Sequence, residues 1–417
     1  MLARAIGMNF VFRLFLAAAV VFSCSVLIVG CHKSSVDAIS RNSNAKPVFG
    51  NSDSRTKQKK SGDINFDFVH PDHFACFGLD VQQIIARKEF EDVRWNSVES
   101  QLSDLVGKAN SDLGSIERIW LLLDRETTAA AMEGKPGGLF TTVIQYQAAP
   151  NLEQLAQARA NLENTLVDSS NGESQSESDS DSEEASKKPS QEPGDTQAKP
   201  IIYAIGDKQI VIGSKLAVEK MKAAQTPTEN SELTGLLTQL DFSSDVEGVI
   251  ATGPVRGTLK SVFGMAAQFG GEEARKFKAL PDVLEQIEIR LSLEQGQADL
   301  LNIKAMIDDK KMIDQIVSAS REAIEYSNAN AKANENVLGE VLGGVRKSRK
   351  AEDSASAKIA EQVSQEIKEK NLLLVEGADD SVSFRLQKPT KISELLRAMV
   401  EDFNRDDDLK KEEKKKR

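Results

Sequence analysis

Ile116-Glu117-Arg118-Ile119-Trp120-Leu121-Leu122-Leu123-Asp124 and, 171 residues on, Ile287-Glu288-Ile289-Arg290-Leu291-Ser292-Leu293 decide how this chain folds. Each is a short run rich in β-branched, aromatic and aliphatic residues with polar flanks, which is the pattern of a strand. The elements around them recur in the same order. Upstream of the first run, Phe74 to Asp80 reads as a strand, and Val81, Ile84, Ile85, Val98, Leu102, Leu105 and Val106 give the next stretch a helical face. Downstream lie a strand from Leu139 to Gln147 and a helix capped by Asn151 with Leu152, Leu155 and Ala156 on one side. A hairpin turning at Gly206-Asp207-Lys208 and a helix from Lys215 to Ala224 complete the series.

A second series runs Gly248–Thr252, the helix of Val255 to Ala266, the Ile287 run, Leu300–Ile307 and the helix of Ile313, Ile316 and Val317. It ends in a hairpin at Gly377-Ala378-Asp379-Asp380 and a helix from Ile392 to Phe403. The reading is an α+β chain with two tandem copies of a strand-helix-strand-strand-helix-strand-strand-helix module, residues 66–224 and 225–403, in ferredoxin-like order. Two inserts fall where loops tolerate them. Residues 168–199 are acidic and Ser-rich and read as disordered, whereas 328–370 are polar with Ile359, Val363 and Ile367 predicting a helix in the second half. Residues 404–417 read as a charged, frayed tail.

At the N-terminus, Arg4 and Arg13 precede an uncharged run from Leu14 to Cys31, the n- and h-regions of an export signal. The run ends Ile28-Val29-Gly30-Cys31, which resembles the lipobox of bacterial lipoproteins, with variant residues at its first two positions. The resemblance implies a signal peptide of residues 1–30, cleavage between Gly30 and Cys31, and a diacylglycerol on the Cys31 thiol, with a further acyl chain such as palmitate on the new amino group in many bacteria. It also implies outer-membrane sorting, since His32 stands where an inner-membrane retention signal would place Asp. Residues 31–65 then form the lipidated Cys and a flexible tether. An uncleaved span of 14–31, or acylation at Cys24, are the alternatives.

The composition narrows the function. With 53 Lys+Arg against 64 Asp+Glu the formal charge is −11, so nucleic acid is not an expected partner. Three His and three Cys leave little for a metal cluster. His70, Asp72, His73 and Cys76 are the one grouping of ligand types, and Pro71 together with the strand that follows makes a domain-entry turn and a buried thiol the simpler reading. The comparable place in the second copy holds only Ser243-Ser244-Asp245-Val246. Asp80 and Asp124 end adjacent strands and form a candidate acid/base pair, set against ordinary turn chemistry. No hydrolase, zincin or P-loop motif is present. The expectation is therefore a membrane-anchored, non-enzymatic binding or structural module of the cell envelope. No catalytic residue, metal or cofactor is expected; the partners are the membrane, through the lipid, and an unidentified envelope component. An envelope hydrolase with a carboxylate site is the alternative.

Overall fold

The computed structural model describes residues 64, 66–126, 128, 141–164, 201–223, 231–269, 275–294, 296–329 and 355–416. The residues read as an export signal, Cys31 and the tether apart from residue 64, the acidic insert and residues 330–354 of the second insert lie outside the described residues. Helix and strand are both abundant, and ten strands form one antiparallel sheet.

The first half supplies β1 (His73–Asp80), α1 (Val81–Ile85), α2 (Asn96–Val106), β2 (Ile116–Asp124), β3 (Thr141–Tyr146), α3 (Leu152–Asn164), β4 (Ile201–Ile205), β5 (Gln209–Gly213), α4 (Lys215–Ala223) and α5 (Glu232–Leu237). The second supplies β6 (Val246–Ala251), α6 (Arg256–Phe269), α7 (Leu280–Val283), β7 (Leu284–Leu291), β8 (Asp299–Ile307), α8 (Lys310–Ala329), α9 (Ala355–Glu369), β9 (Leu373–Gly377), β10 (Ser381–Gln387) and α10 (Ile392–Lys416). Across the sheet the order is β4-β5-β3-β2-β1-β6-β7-β8-β10-β9. Counted outward from the centre, each half therefore runs first, second, third, fifth, fourth strand. The halves join where β1 pairs antiparallel with β6, Ala75 opposite Ile250 and Leu79 opposite Val246.

This order corrects the ferredoxin-like expectation. A split βαβ unit needs another strand between the first and second, yet β1 and β2 are antiparallel neighbours, with Asp80 opposite Arg118. The connection is why. One helix was expected from Val81 to Val106, but α1 ends at Ile85 and a 3-10 turn at Lys88–Phe90 precedes α2. With that break the chain goes out and comes back, re-entering the sheet beside the end it left. Phe90 and Val93, freed from the helix, are buried in a cluster with Leu291, Leu293, Val363 and Leu395.

The two faces of the sheet are covered differently. One carries the main core, including Phe77, Ile119, Leu121, Ile144, Ile289 and Ile303, beneath residues of α2, α3 and α8 such as Leu102, Leu155 and Ile316. On the opposite face of the first half, Cys76, Trp120, Leu122, Val143 and Val211 lie under Phe66, Phe68, α4 and α5. Both faces of β2 are thus buried, which explains its unbroken apolar run. In the second half that opposite face presents Glu288, Arg290, Asn302, Lys304, Ser383 and Arg385, all partly exposed. The alternation Ile287-Glu288-Ile289-Arg290-Leu291 is the sequence form of that one-sided burial.

The closing helices explain the difference. α4 sends Val218 and Met221 onto the opposite face of the first half. α10 instead packs Ile392, Leu395 and Leu396 with α9 and with Phe90 and Val93. The α9 face expected from Ile359, Val363 and Ile367 buries Val363 and Ile367 completely or nearly so. The expected frayed tail is corrected: α10 continues to Lys416. Between Asp406 and Lys416 there is no Gly or Pro, and Lys and Glu, which dominate the second part of this stretch, are good helix formers.

Candidate functional site

The antiparallel pairing of β1 and β2 decides the fate of the candidate carboxylate pair. Asp124 is opposite His73 and Asp80 opposite Arg118, so six residues of strand, about 20 Å, separate the two acids. They cannot share a substrate as an acid/base pair. Asp80 caps α1, accepting from the Gln83 amide at 2.9 Å, and its other oxygen meets Arg118 at 2.7 Å. Asp124 is buried and accepts from the Glu126 amide at 2.9 Å.

The residues of the candidate metal grouping are each engaged locally. His73 is buried and its Nδ1 accepts from the His70 amide at 2.8 Å. Burial lowers its pKa to about 4. Asp72 meets Lys220 at 3.0 Å, and burial pushes the Cys76 thiol up, disfavouring the thiolate that a metal would need. Among the described residues no group of three or more His, Cys, Asp or Glu is arranged to hold a metal.

Charge collects instead at the seam between the halves, where β1 ends and β6 begins. Arg87, just after α1, makes a bidentate pair with Asp245, its Nε donating to Oδ1 at 2.9 Å and its Nη2 to Oδ2 at 2.7 Å. Asp245 is fully buried and also accepts from the Leu293 amide at 2.5 Å, tying the first half to the start of β6 and the end of β7. Arg118 holds Asp80 and lies 5.3 Å from the ring centroids of both Trp120 and Phe242. Trp120, fully buried, donates its indole N–H to Gln145 at 3.1 Å and meets Phe242 edge-on at 5.2 Å. Phe242 has φ 49°, a left-handed backbone that a bulky residue adopts only when its surroundings hold it there.

Two residues along β6 from Asp245, Glu247 points into the same region, also with no solvent-exposed side-chain area. Arg290 reaches it at 3.2 Å and is shared with Asp241 at 3.6 Å. The Ser243 amide and hydroxyl bond Asp241 at 3.1 and 2.9 Å. Burial raises the Glu247 carboxyl to about 7; Arg290 opposes the rise and Asp241 adds to it. The folded chain therefore keeps a proton that the unfolded chain has lost, and the Glu247 contribution to stability falls as the pH rises from about 4.5 to about 7.

Sequence reasoning did not single out Arg87, Asp241, Glu247 or Arg290, and Asp245 entered only as a contrast to His70–Cys76. The available signal was Glu247 itself, an acid inside the otherwise apolar strand Val246–Ala251. The outer strands carry two shallow grooves. One, of about 410 Å³, lies between α3 and β4 and is lined by Leu152, Ala156, Ile202 and Ala204. The other, of about 430 Å³, lies between α8 and β9 and is lined by Asp314, Arg321, Glu322 and Glu325. At the latter, Arg321 donates to the Val375 carbonyl at 3.0 Å and so covers part of the sheet edge.

No family model matches the chain, and no curated protein matches it. Among solved structures, crystal form III of TP0453 aligns with a TM-score of 0.33 at 8% identity, over 81% of this chain and 99% of that one. Crystal form I of TP0453 aligns at 0.29 and 8% identity, over 80% and 96%. No helix among the described residues is long and apolar enough to cross a membrane.

Proposed function

We propose that the chain is an exported bacterial lipoprotein, held to the outer membrane by acyl chains on Cys31, whose body is a non-enzymatic binding or structural module of the cell envelope. The observation that carries this reading is Ile28-Val29-Gly30-Cys31 at the end of an uncharged run. Two acyl chains, each methylene contributing about 0.8 kcal/mol, hold such a body at a bilayer without a spanning helix. The non-enzymatic part is supported by the use made of the candidate acids: Asp80 caps a helix and pairs with Arg118, and Asp124 closes a turn. The bodies 66–224 and 225–403 are two copies of one module fused through β1 and β6. Their common strand order and the 171-residue interval support this. Partners of the module are the membrane and an envelope component.

Cys31→Ser removes the thiol to which lipid attaches. The variant is expected to remain unprocessed and to move from the detergent phase to the aqueous phase on Triton X-114 partitioning. Processing and partitioning equal to the parent would refute lipidation at Cys31.

A further inference from the structure

The seam holds two carboxyl groups and one guanidinium that neither the envelope reading nor the fold requires. Glu247 is completely shielded from water and stands opposite Gly78 on β1, the position over which the Trp120 ring lies. The charged groups around it come from few elements. β7 supplies Arg290 and, two residues away opposite Val249, Glu288, which accepts from Gln286; the loop before β6 supplies Asp241, with Ser243 and Ser244 beside it, and Asp245, which is already held by Arg87 and the Leu293 amide. β1 places Gly78, which has no side chain, opposite Glu247, and two residues on it supplies Asp80, already held by Arg118. β2 supplies Arg118, already paired with Asp80 and lying against Phe242. α5, which packs on β1 and β6, has only Glu232, placed beside Gly253 at the far end of β6.

Among the described residues, Arg290 is thus the one cation that serves both Asp241 and Glu247. With Glu247 neutral, Asp241 keeps Arg290 and the loop stays closed over the seam, with Phe242 pressed against Trp120 and Phe66. With Glu247 ionised, two negative charges compete for one guanidinium in a dry site, where like charges repel strongly. We propose that Glu247, Asp241 and Arg290 form a proton-operated latch at the joint of the two half-sheets: protonated, it clamps the 241–244 segment over Trp120, and deprotonated, it draws Arg290 to Glu247 and releases Asp241 with that segment, while Asp245 stays held by Arg87. Phe242 favours release, because its left-handed backbone is strained and relaxes once the loop is free. The elevated pKa of Glu247 places the transition near neutrality. A body carried on a tether would in this way change the joint between its halves in response to local acidity.

Trp120 reports the state of the latch. In full-length protein in detergent micelles, with Trp95→Phe leaving Trp120 as the only indole, emission is followed from pH 5 to pH 9. A single sigmoidal change with a midpoint near 7 is expected, and Glu247→Gln should abolish it. Asp241→Asn takes away the loop's own hold on Arg290, so the loop should stay released and emission should remain flat at the parent's high-pH level. This second variant keeps the test informative if Glu247→Gln fails to fold. Flat emission across the range in the parent, the same transition in a folded Glu247→Gln variant, or a parent-like transition in Asp241→Asn would each overturn the latch.

Discussion

Arg87→Met is expected to destabilise the protein by about 3–5 kcal/mol, because it leaves the Asp245 carboxylate charged, buried and without its bidentate partner. Burial already pushes that carboxyl above its ordinary value, against the Leu293 amide and Arg87 that lower it. With the guanidinium gone, only the Leu293 amide remains of the contacts described. The pair also bridges the halves, so its loss is expected to loosen the β1–β6 joint. Denaturant midpoints of the variant and the parent give the size of the effect. Adding Asp245→Asn should recover part of the loss, since a neutral amide no longer has to be held as a charge in a dry site. A loss below about 1 kcal/mol would show that water reaches Asp245 and that the seam is not dry.

Gly248→Val is expected to be the most damaging single change in the strands, at least about 3 kcal/mol and sufficient to prevent folding of a marginal chain. Gly248 lies opposite Phe77 across the joint. A Cβ there would fall inside the contact distance of the Phe77 ring and the Cys76 carbonyl, and would reach the Phe77 Cα at 2.8 Å. One of those atoms belongs to a flexible side chain, but two are backbone of the central strand, which moves only if the sheet opens. Gly235, on α5, is the control. Nothing lies within 4 Å of a Cβ built there, so Gly235→Ala should be neutral or stabilising by up to about 1 kcal/mol. Soluble yield and thermal midpoint compare the two. A folded Gly248→Val protein with the parent midpoint would mean that β1 and β6 are not in register as described.

The strands were legible in sequence because each is a short apolar run between turn residues, and Ile116–Asp124 matches its expected limits. The helix of the second insert was legible through Ile359, Val363 and Ile367. What the sequence did not show was how the strands connect in space. Strand order depends on where a connection re-enters the sheet, and the break after Ile85 that reverses the first connection carries no Gly or Pro to mark it. The same gap misplaced the acids. Asp80 and Asp124 both end strands, but antiparallel pairing sends those strand ends to opposite ends of the β1–β2 pair. The seam cluster escaped notice because Arg87 and Arg290 are far in sequence from Asp241 and Glu247, and only the β1–β6 and β6–β7 pairings bring them together. Glu247 in an apolar strand was a readable anomaly; its partner Arg290 looked like an ordinary solvent-facing residue of an alternating strand.

The account as a whole rests on Cys31 being the lipidated first residue of the mature chain. An intact-mass and N-terminal peptide measurement on protein extracted from the membrane fraction tests that most directly. The expected result is a chain that begins at Cys31, with no residue of 1–30 retained and with added mass equal to a diacylglyceryl group, or to that group plus one further acyl chain. A chain that retains Met1 through Gly30, or one that begins at an unmodified residue, would contradict it.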